Sequence, residues 1–341
     1  MNRSINILAS AILIATFFFA CSKMPEKGLD EKSLIYLSAG TGAVKSPYTN
    51  ETPSENSPLN ALVCVSTDDF RFPSDGKDGT EDGTIGKHIH AQFQSGTSQL
   101  INGAYYNRLY PMDVYFSAFH PQSGWTFTDN NTASLTFNGS HDVMFAPQVS
   151  GKYGNNTPPT LDFRHLLTWL KLEISAESDA VATAWGPLKS ITIESSDKVS
   201  IYLSKTFNPD DVKFSNEKVA MNFYKTEADE VFPVPGNGYT MTTEVEEVGY
   251  VLCEPVQAIV NDPYASGIVR VPEYKMTIVS QYRNVTVDID LKDGVESYFG
   301  SNTMGQQFTL NLMFKMGNTI AVSTGITDWQ TGGIGIGKIE E

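Results

Sequence analysis

The stretch Asn284-Val285-Thr286-Val287-Asp288-Ile289-Asp290-Leu291 alternates strictly, apolar at every odd position and polar at every even one. A period of two sends successive side chains to opposite faces of an extended chain, so this segment reads as a strand with one buried and one wet face. Phe308, Leu310, Leu312 and Phe314 repeat the pattern. Other short runs rich in β-branched and aromatic residues lie at 34–37, 61–65, 113–119, 134–137, 170–174, 191–194, 199–203, 219–224, 248–253, 274–280, 307–314 and 319–326. Gly, Pro, Asn, Asp and Ser clusters separate them, which is the mark of a sandwich or barrel. No long segment has a helical period; a single helical turn is expected within 165–172, at the entry to a strand. The expected fold class is all-β.

The N-terminal residues fix the compartment. Met1 to Ala20 carry one charge, Arg3, and an apolar run over 5–19 broken only by Asn6, Ser10 and Thr16. A charged start, a short apolar stretch and a small residue before the cut are the parts of an export signal. The run is shorter than the ~20 residues that a bilayer span takes. Phe18-Phe19-Ala20-Cys21 resembles a bacterial lipobox, in which the cysteine at the new N-terminus receives lipid. Several acyl chains on Cys21 would anchor the chain stably, since one alone is marginal. The polar stretch after Cys21, with Pro25 and Gly28, reads as a tether over 21–33.

With 341 residues, the chain is long enough for two domains. Trp185-Gly186-Pro187 separates a long apolar stretch from a new set of strands, so a domain is expected over 34–185 and a second over 186–341, after a signal peptide over 1–20. Residues 67–86 are acidic and glycine-rich and read as an exposed loop. The formal charge is −15, and loss of Arg3 with the signal makes it one unit more negative. Such a surface argues against nucleic acid and anionic lipid as partners. Cys64 and Cys253 each sit in an apolar run and are expected as buried free thiols in different domains, rather than as a disulfide.

Asp142-Val143-Met144-Phe145-Ala146-Pro147, followed after a loop by Leu161-Asp162-Phe163-Arg164-His165-Leu166, resembles a signature of the Bacteroidales fimbrillin-like lipoproteins, the Mfa-like fimbrillins of type V pili. Gln307-Phe308-Thr309-Leu310-Asn311-Leu312 and the later Ile326-Thr327-Asp328-Trp329 resemble that family's terminal strand and its ending. The resemblance runs along nearly the whole chain. It implies two tandem transthyretin-like β-sandwiches and export as an outer-membrane lipoprotein. It also implies polymerisation with other pilus subunits by strand exchange, after a protease removes an N-terminal segment. The major subunits of that family are cut after an arginine soon after the first strand. Here Lys45 stands at that place, and the first arginine after Cys21 is Arg71, inside the acidic loop. Either these are processing sites, or the chain is an uncleaved anchor or tip subunit.

A sandwich lacking one strand exposes unpaired backbone groups that a neighbour's strand can satisfy. The tail Gly332-Gly333-Ile334-Gly335-Ile336-Gly337 offers Ile334 and Ile336 at a donor's spacing; the alternative is a frayed or edge-pairing tail. His88 and His90 share one face of a strand, but His120, His141 and His165 lie in unrelated segments without ligand spacing. Asp78-Gly79-Thr80-Glu81-Asp82-Gly83 lacks the twelfth-position glutamate of a calcium loop, where Ile89 stands. No G-x-S-x-G, H-E-x-x-H or Walker sequence is present, so no catalytic residue, metal or cofactor is named. Trp169 and Trp329 are expected in the core, and His165 is expected to pack or bond near a strand entry. Trp125, in a loop context, is the residue expected at a ligand, with Tyr105 and Tyr106 as further aromatics of an alternative glycan-binding surface lipoprotein.

Overall fold

The computed structural model describes residues 32–39, 58–67, 87–94, 98–109, 111–128, 131–203, 207–226, 230–256, 274–289, 291 and 303–327. Its first strands are β1 (Lys32–Ala39), β2 (Leu59–Ser66), β3 (Lys87–Phe93), β4 (Ser98–Asn107) and β5 (Val114–His120). Then come β6 (Thr126–Thr128), β7 (Thr132–Thr136), β8 (Met144–Gly151), β9 (Thr160–Leu161) and β10 (Arg164–His165). They form a three-stranded sheet, β4-β1-β9, and a five-stranded sheet, β10-β8-β5-β2-β3. Ile35 and Leu37 of the first meet Ala61, Val63, Phe116 and Met144 of the second in one apolar core.

The five-stranded sheet is buried on both faces. Leu62 and Cys64 of β2, with Phe119 and Phe145, point away from that core into a second, larger one. Double burial explains why 61–65 reads as an unbroken apolar run while 285–291 alternates: a strand covered on both sides has no wet face to mark with polar residues. The edge strand β19 (Asn284–Ile289) does have one, with Asn284, Thr286 and Asp288 exposed.

The remaining elements are β11 (Thr168–Ala176), α1 (Asp179–Trp185), β12 (Leu188–Ser195), β13 (Lys198–Tyr202), β14 (Val212–Phe214), β15 (Val219–Tyr224), β16 (Val231–Phe232), β17 (Glu246–Cys253), β18 (Tyr274–Ser280), β20 (Gln307–Phe314) and β21 (Ile320–Thr327). They build a large sheet in the order β19-β18-β12-β15-β17-β11-β20-β21, with β16 beside β15. β15 is shared between its two limbs: Val219 to Asn222 pair with β12, whereas Tyr224 pairs with β17. Apolar side chains of both limbs, among them Ile191, Ile278, Leu172, Leu310 and Phe314, belong to one cluster.

A four-stranded sheet, β14-β13-β7-β6, ties the parts together. β7 precedes the first sandwich's last strands, yet it pairs with β13, from Lys198↔Thr136 to Tyr202↔Thr132. The chain leaves the five-stranded sheet at His165 and enters the large sheet at Thr168, where β11 lies between β17 and β20. The junction anticipated at Trp185-Gly186-Pro187 therefore lies between two strands of the large sheet, β11 and β12, joined by α1.

Every run picked from the sequence overlaps a strand. The helical turn expected within 165–172 is not there. His165 ends β10, the Leu166 N–H donates to the Val143 carbonyl at 2.9 Å, and the Trp169 N–H donates to Gln306 at 3.0 Å. With these donors spent on neighbouring chain segments, the local turn gains nothing. The helix that does form, α1, is capped by Ser178, whose side chain accepts from the Val181 N–H, and it ends at Gly186. Its Trp185 is buried, donates Nε1–H to the Lys315 carbonyl at 2.9 Å and stands edge-on to Phe314. Among the described residues, no helix is long and apolar enough to cross a membrane.

Candidate functional site

The segment Ser33-Leu34-Ile35-Tyr36-Leu37-Ser38 is apolar at four consecutive positions, but its side chains divide by parity. Ile35 and Leu37 are 0 % exposed, while Leu34 and Tyr36 stay about half exposed on the outer face. β1 is the middle strand of its sheet. It runs antiparallel to β4, from Lys32↔Asn107 to Ser38↔Ser98, and its end runs parallel to β9 at Ser38↔Thr160 and Ala39↔Leu161. The Ser38 N–H donates to the Pro159 carbonyl at 3.1 Å, and its hydroxyl lies 2.9 Å from the Thr160 hydroxyl. A middle strand near the chain start has a particular property. If it leaves, two facing edges and two apolar seats open together, one strand wide.

Of the residues singled out in the sequence, Cys21, Lys45, Arg71, Trp329, Ile334 and Ile336 lie outside the described residues, as does the loop 78–83. Trp125 is described. Its Nε1–H donates to the Pro121 carbonyl at 2.8 Å, its ring sits 4.8 Å from that of Phe119, and it packs against the larger core. Tyr106 is buried edge-on to Phe116, and Tyr105 lies opposite Leu34 on the neighbouring strand. Trp169 is buried in the core. The His88 ring packs on Phe127 at 4.3 Å. Among the described residues, no group of three or more His, Cys, Asp or Glu is placed to hold a metal ion. Cys64 and Cys253 are both buried and free, and both thiols belong to the larger core.

The fold also assembles a polar plug that spacing along the sequence did not show. The loop 137–143 connects β7 to β8 and lies against β17. Gly139 has φ +88°, its carbonyl accepts from the Leu252 N–H at 2.9 Å, and a Cβ there would come within 2.9 Å of Val251. The Tyr250 hydroxyl donates to the Ser140 carbonyl at 2.9 Å, and Ser140 Oγ lies 2.6 Å from His141 Nδ1. Beyond it, Asp142 Oδ2 meets His165 Nδ1 at 2.5 Å, with both side chains 2 % exposed. His120, whose Nδ1 is 2.7 Å from the Asn60 carbonyl, feels the charges of Asp142, His141 and His165. Three histidines distant in sequence thus come near one another, with His165 bonded to the buried Asp142 carboxylate and His141 exposed. Burial holds the His120 pKa below its ordinary value, against the opposing pull of the Asn60 carbonyl and Asp142. The Asp142–His165 contact fastens the last strand of the five-stranded sheet to the loop that rests on the large sheet.

The class this architecture defines is an all-β chain of stacked sheets with two apolar cores. A proposed cell adhesion protein from Bacteroides uniformis ATCC 8492 has the same fold, with a TM-score of 0.51 and 13% identity over 89% of this chain and 99% of that one. Fainter likenesses are a proposed cell adhesion protein from Bacteroides ovatus ATCC 8483 (TM-score 0.47, 14% identity, 87% and 97% covered) and the fimbrial anchor protein Mfa2 from Porphyromonas gingivalis (TM-score 0.42, 11% identity, 88% and 99% covered). No family model and no curated protein matches the chain.

Proposed function

We propose that this chain is a fimbrillin-like pilus component that assembles by β-strand exchange at the outer membrane and serves in cell adhesion, a mechanical role rather than an enzymatic one. The seat of β1 carries the reading. It is a middle strand with Ile35 and Leu37 fully buried, and it stands just before Lys45, the expected cleavage site. Cleavage at Lys45 or Arg71 would free β1 and open a groove between β4 and β9. Ile334 and Ile336 of a neighbouring subunit are spaced two apart, as Ile35 and Leu37 are, and would fill the same two seats. Lipid on Cys21 would hold an uncleaved copy at the membrane as an anchor. The similar fold of a chain described as a proposed cell adhesion protein accords with this.

Mass spectrometry of the mature N-terminus, in membrane and assembled fractions, tests the processing. A terminus at residue 46 or 72 in assembled material supports a polymerising subunit, and an intact lipidated Cys21 there supports an anchor. Deleting 332–341 tests the donor: SDS-resistant ladders should vanish, and full polymers from the deleted chain would sink the exchange mechanism.

A further inference from the structure

We infer that a recess between the start of β12, the turn 234–239 and the β18–β19 turn is a binding site for an acidic saccharide. This is independent of strand exchange, since none of the lining residues belongs to β1 or to 332–341.

The walls are cross-bonded before any ligand arrives. Leu188 and Tyr239 exchange both backbone hydrogen bonds at 2.8 Å, the Gln281 N–H donates to the Pro187 carbonyl at 2.8 Å, and the Ser280 hydroxyl donates to the Trp185 carbonyl at 2.7 Å. Gly238, at φ +72°, lets the turn lie close. A Cβ there would come within 3.0 Å of Pro187 and 3.2 Å of the Leu188 carbonyl oxygen. A frame fixed in advance spares a ligand most of the ordering entropy of binding.

The recess encloses about 310 Å³, lined by Pro187, Lys189, Gly236, Asn237, Gly238 and Gln281. That is the small end of the range for ligand sites, and it suits one or two sugar residues rather than a long chain. Among the described residues, Lys189 has no ion-pair partner, and the side-chain amides of Asn237 and Gln281 have no hydrogen-bond partner. Among the described residues, one unpaired ammonium and two unpaired amides thus belong to residues that line one recess, on a chain of net charge −15. Glu246 is already engaged, by the Tyr239 hydroxyl at 2.6 Å and by Thr242 at 3.0 Å. Beside Gln281, Tyr282 is 65 % exposed, with its ring laid against Gly186. Arg283 adds a second cation to the turn, held over the Trp185 ring at 4.7 Å. The chemistry is complementary to a carboxylated sugar: carboxylate to Lys189 Nζ, hydroxyls to the amides of Asn237 and Gln281, and a ring face to Tyr282, which follows Gln281 in the chain just outside the lining.

The test uses the full-length chain in detergent, with a sialyl-terminated trisaccharide, a glucuronate-terminated disaccharide and neutral lactose as probes, read by saturation-transfer NMR and titration calorimetry. At least one acidic probe should bind, lactose should not, and Lys189→Gln and Tyr282→Ala should each weaken binding about tenfold or more. Both side chains are exposed, so an unchanged unfolding midpoint in each variant separates lost contact from lost fold. Binding of the sialyl probe alone or of the glucuronate probe alone names the source of the acid, and either supports the site. Failure of both acidic probes, equal binding of lactose, or undiminished binding to the Lys189→Gln variant overturns it.

Discussion

Removing β1 from the folded chain probes strand exchange most directly. Ile35 and Leu37 are 0 % exposed in their seats. Full burial of an aliphatic side chain is worth about 1.5–3 kcal/mol, so the pair contributes about 3–6 kcal/mol before the ladder to β4 is counted. A domain is held together by only about 5–15 kcal/mol in all. A chain shortened to begin at residue 46 should therefore keep its large sheet but bring the first sandwich to the edge of unfolding. Hydrogen exchange read by mass spectrometry should show protection lost first in β4 and β9, the two strands that β1 separates. A synthetic peptide of residues 330–341 should restore that protection, recovering about 2.7 kcal/mol at a hundred times its dissociation constant. A peptide with Asp at 334 and 336 should restore nothing. The reasoning fails if the shortened chain unfolds in urea at the full-length midpoint, or if the aspartate peptide protects β4 as well as the native one does.

Three further outcomes are expected. Replacing Asp142 with Ala removes the acceptor at His165 Nδ1 in a site where both side chains are 2 % exposed, and should cost about 1–3 kcal/mol in urea unfolding; the double variant with His165→Ala should cost less than the sum of the two single changes. Burial holds His120 below its ordinary 6.5, so the unfolded chain takes up that proton first. Its contribution is complete above about pH 6.5 and is lost as pH falls from there toward the folded value. His120→Gln should therefore flatten the stability profile on the acid side, as read by the thermal midpoint at successive pH values. Burial also pushes the Cys64 thiol well up and that of Cys253 up to about 12. Iodoacetamide at pH 8 should leave both unmodified in the native chain and alkylate both in denaturant, as peptide mass spectrometry would report.

Much of the fold was legible because long strands carry their own signal. Tyr274–Ser280 and Gln307–Phe314 match their sequence runs end to end, since alternation over seven or eight residues is hard to read any other way. The two- and three-residue strands β6, β9, β10, β14 and β16 left no such trace. Strands that short are held by the sheets they join, and their own residues specify little. α1 has seven residues, too few for a helical period to stand out, although its Ser178 cap was there to be read. The histidine plug escaped for a related reason. His120, His141 and His165 are ordinary at their own positions, and only the packing of 137–143 on β17 brings them near one another and sets His165 on Asp142.

By itself, the sequence determined which residues are extended and which way their side chains face, because parity along a strand is a local property of the backbone. It marked 34–37 as a strand, but not as the middle one of its sheet. Strand order was left to the tertiary structure: Tyr36 finds Leu100, and Ser38 finds Thr160. Backbone donors and acceptors are alike in every strand, so the local pattern cannot name a partner so far along the chain. Only the packing of whole sheets over a shared core selects it.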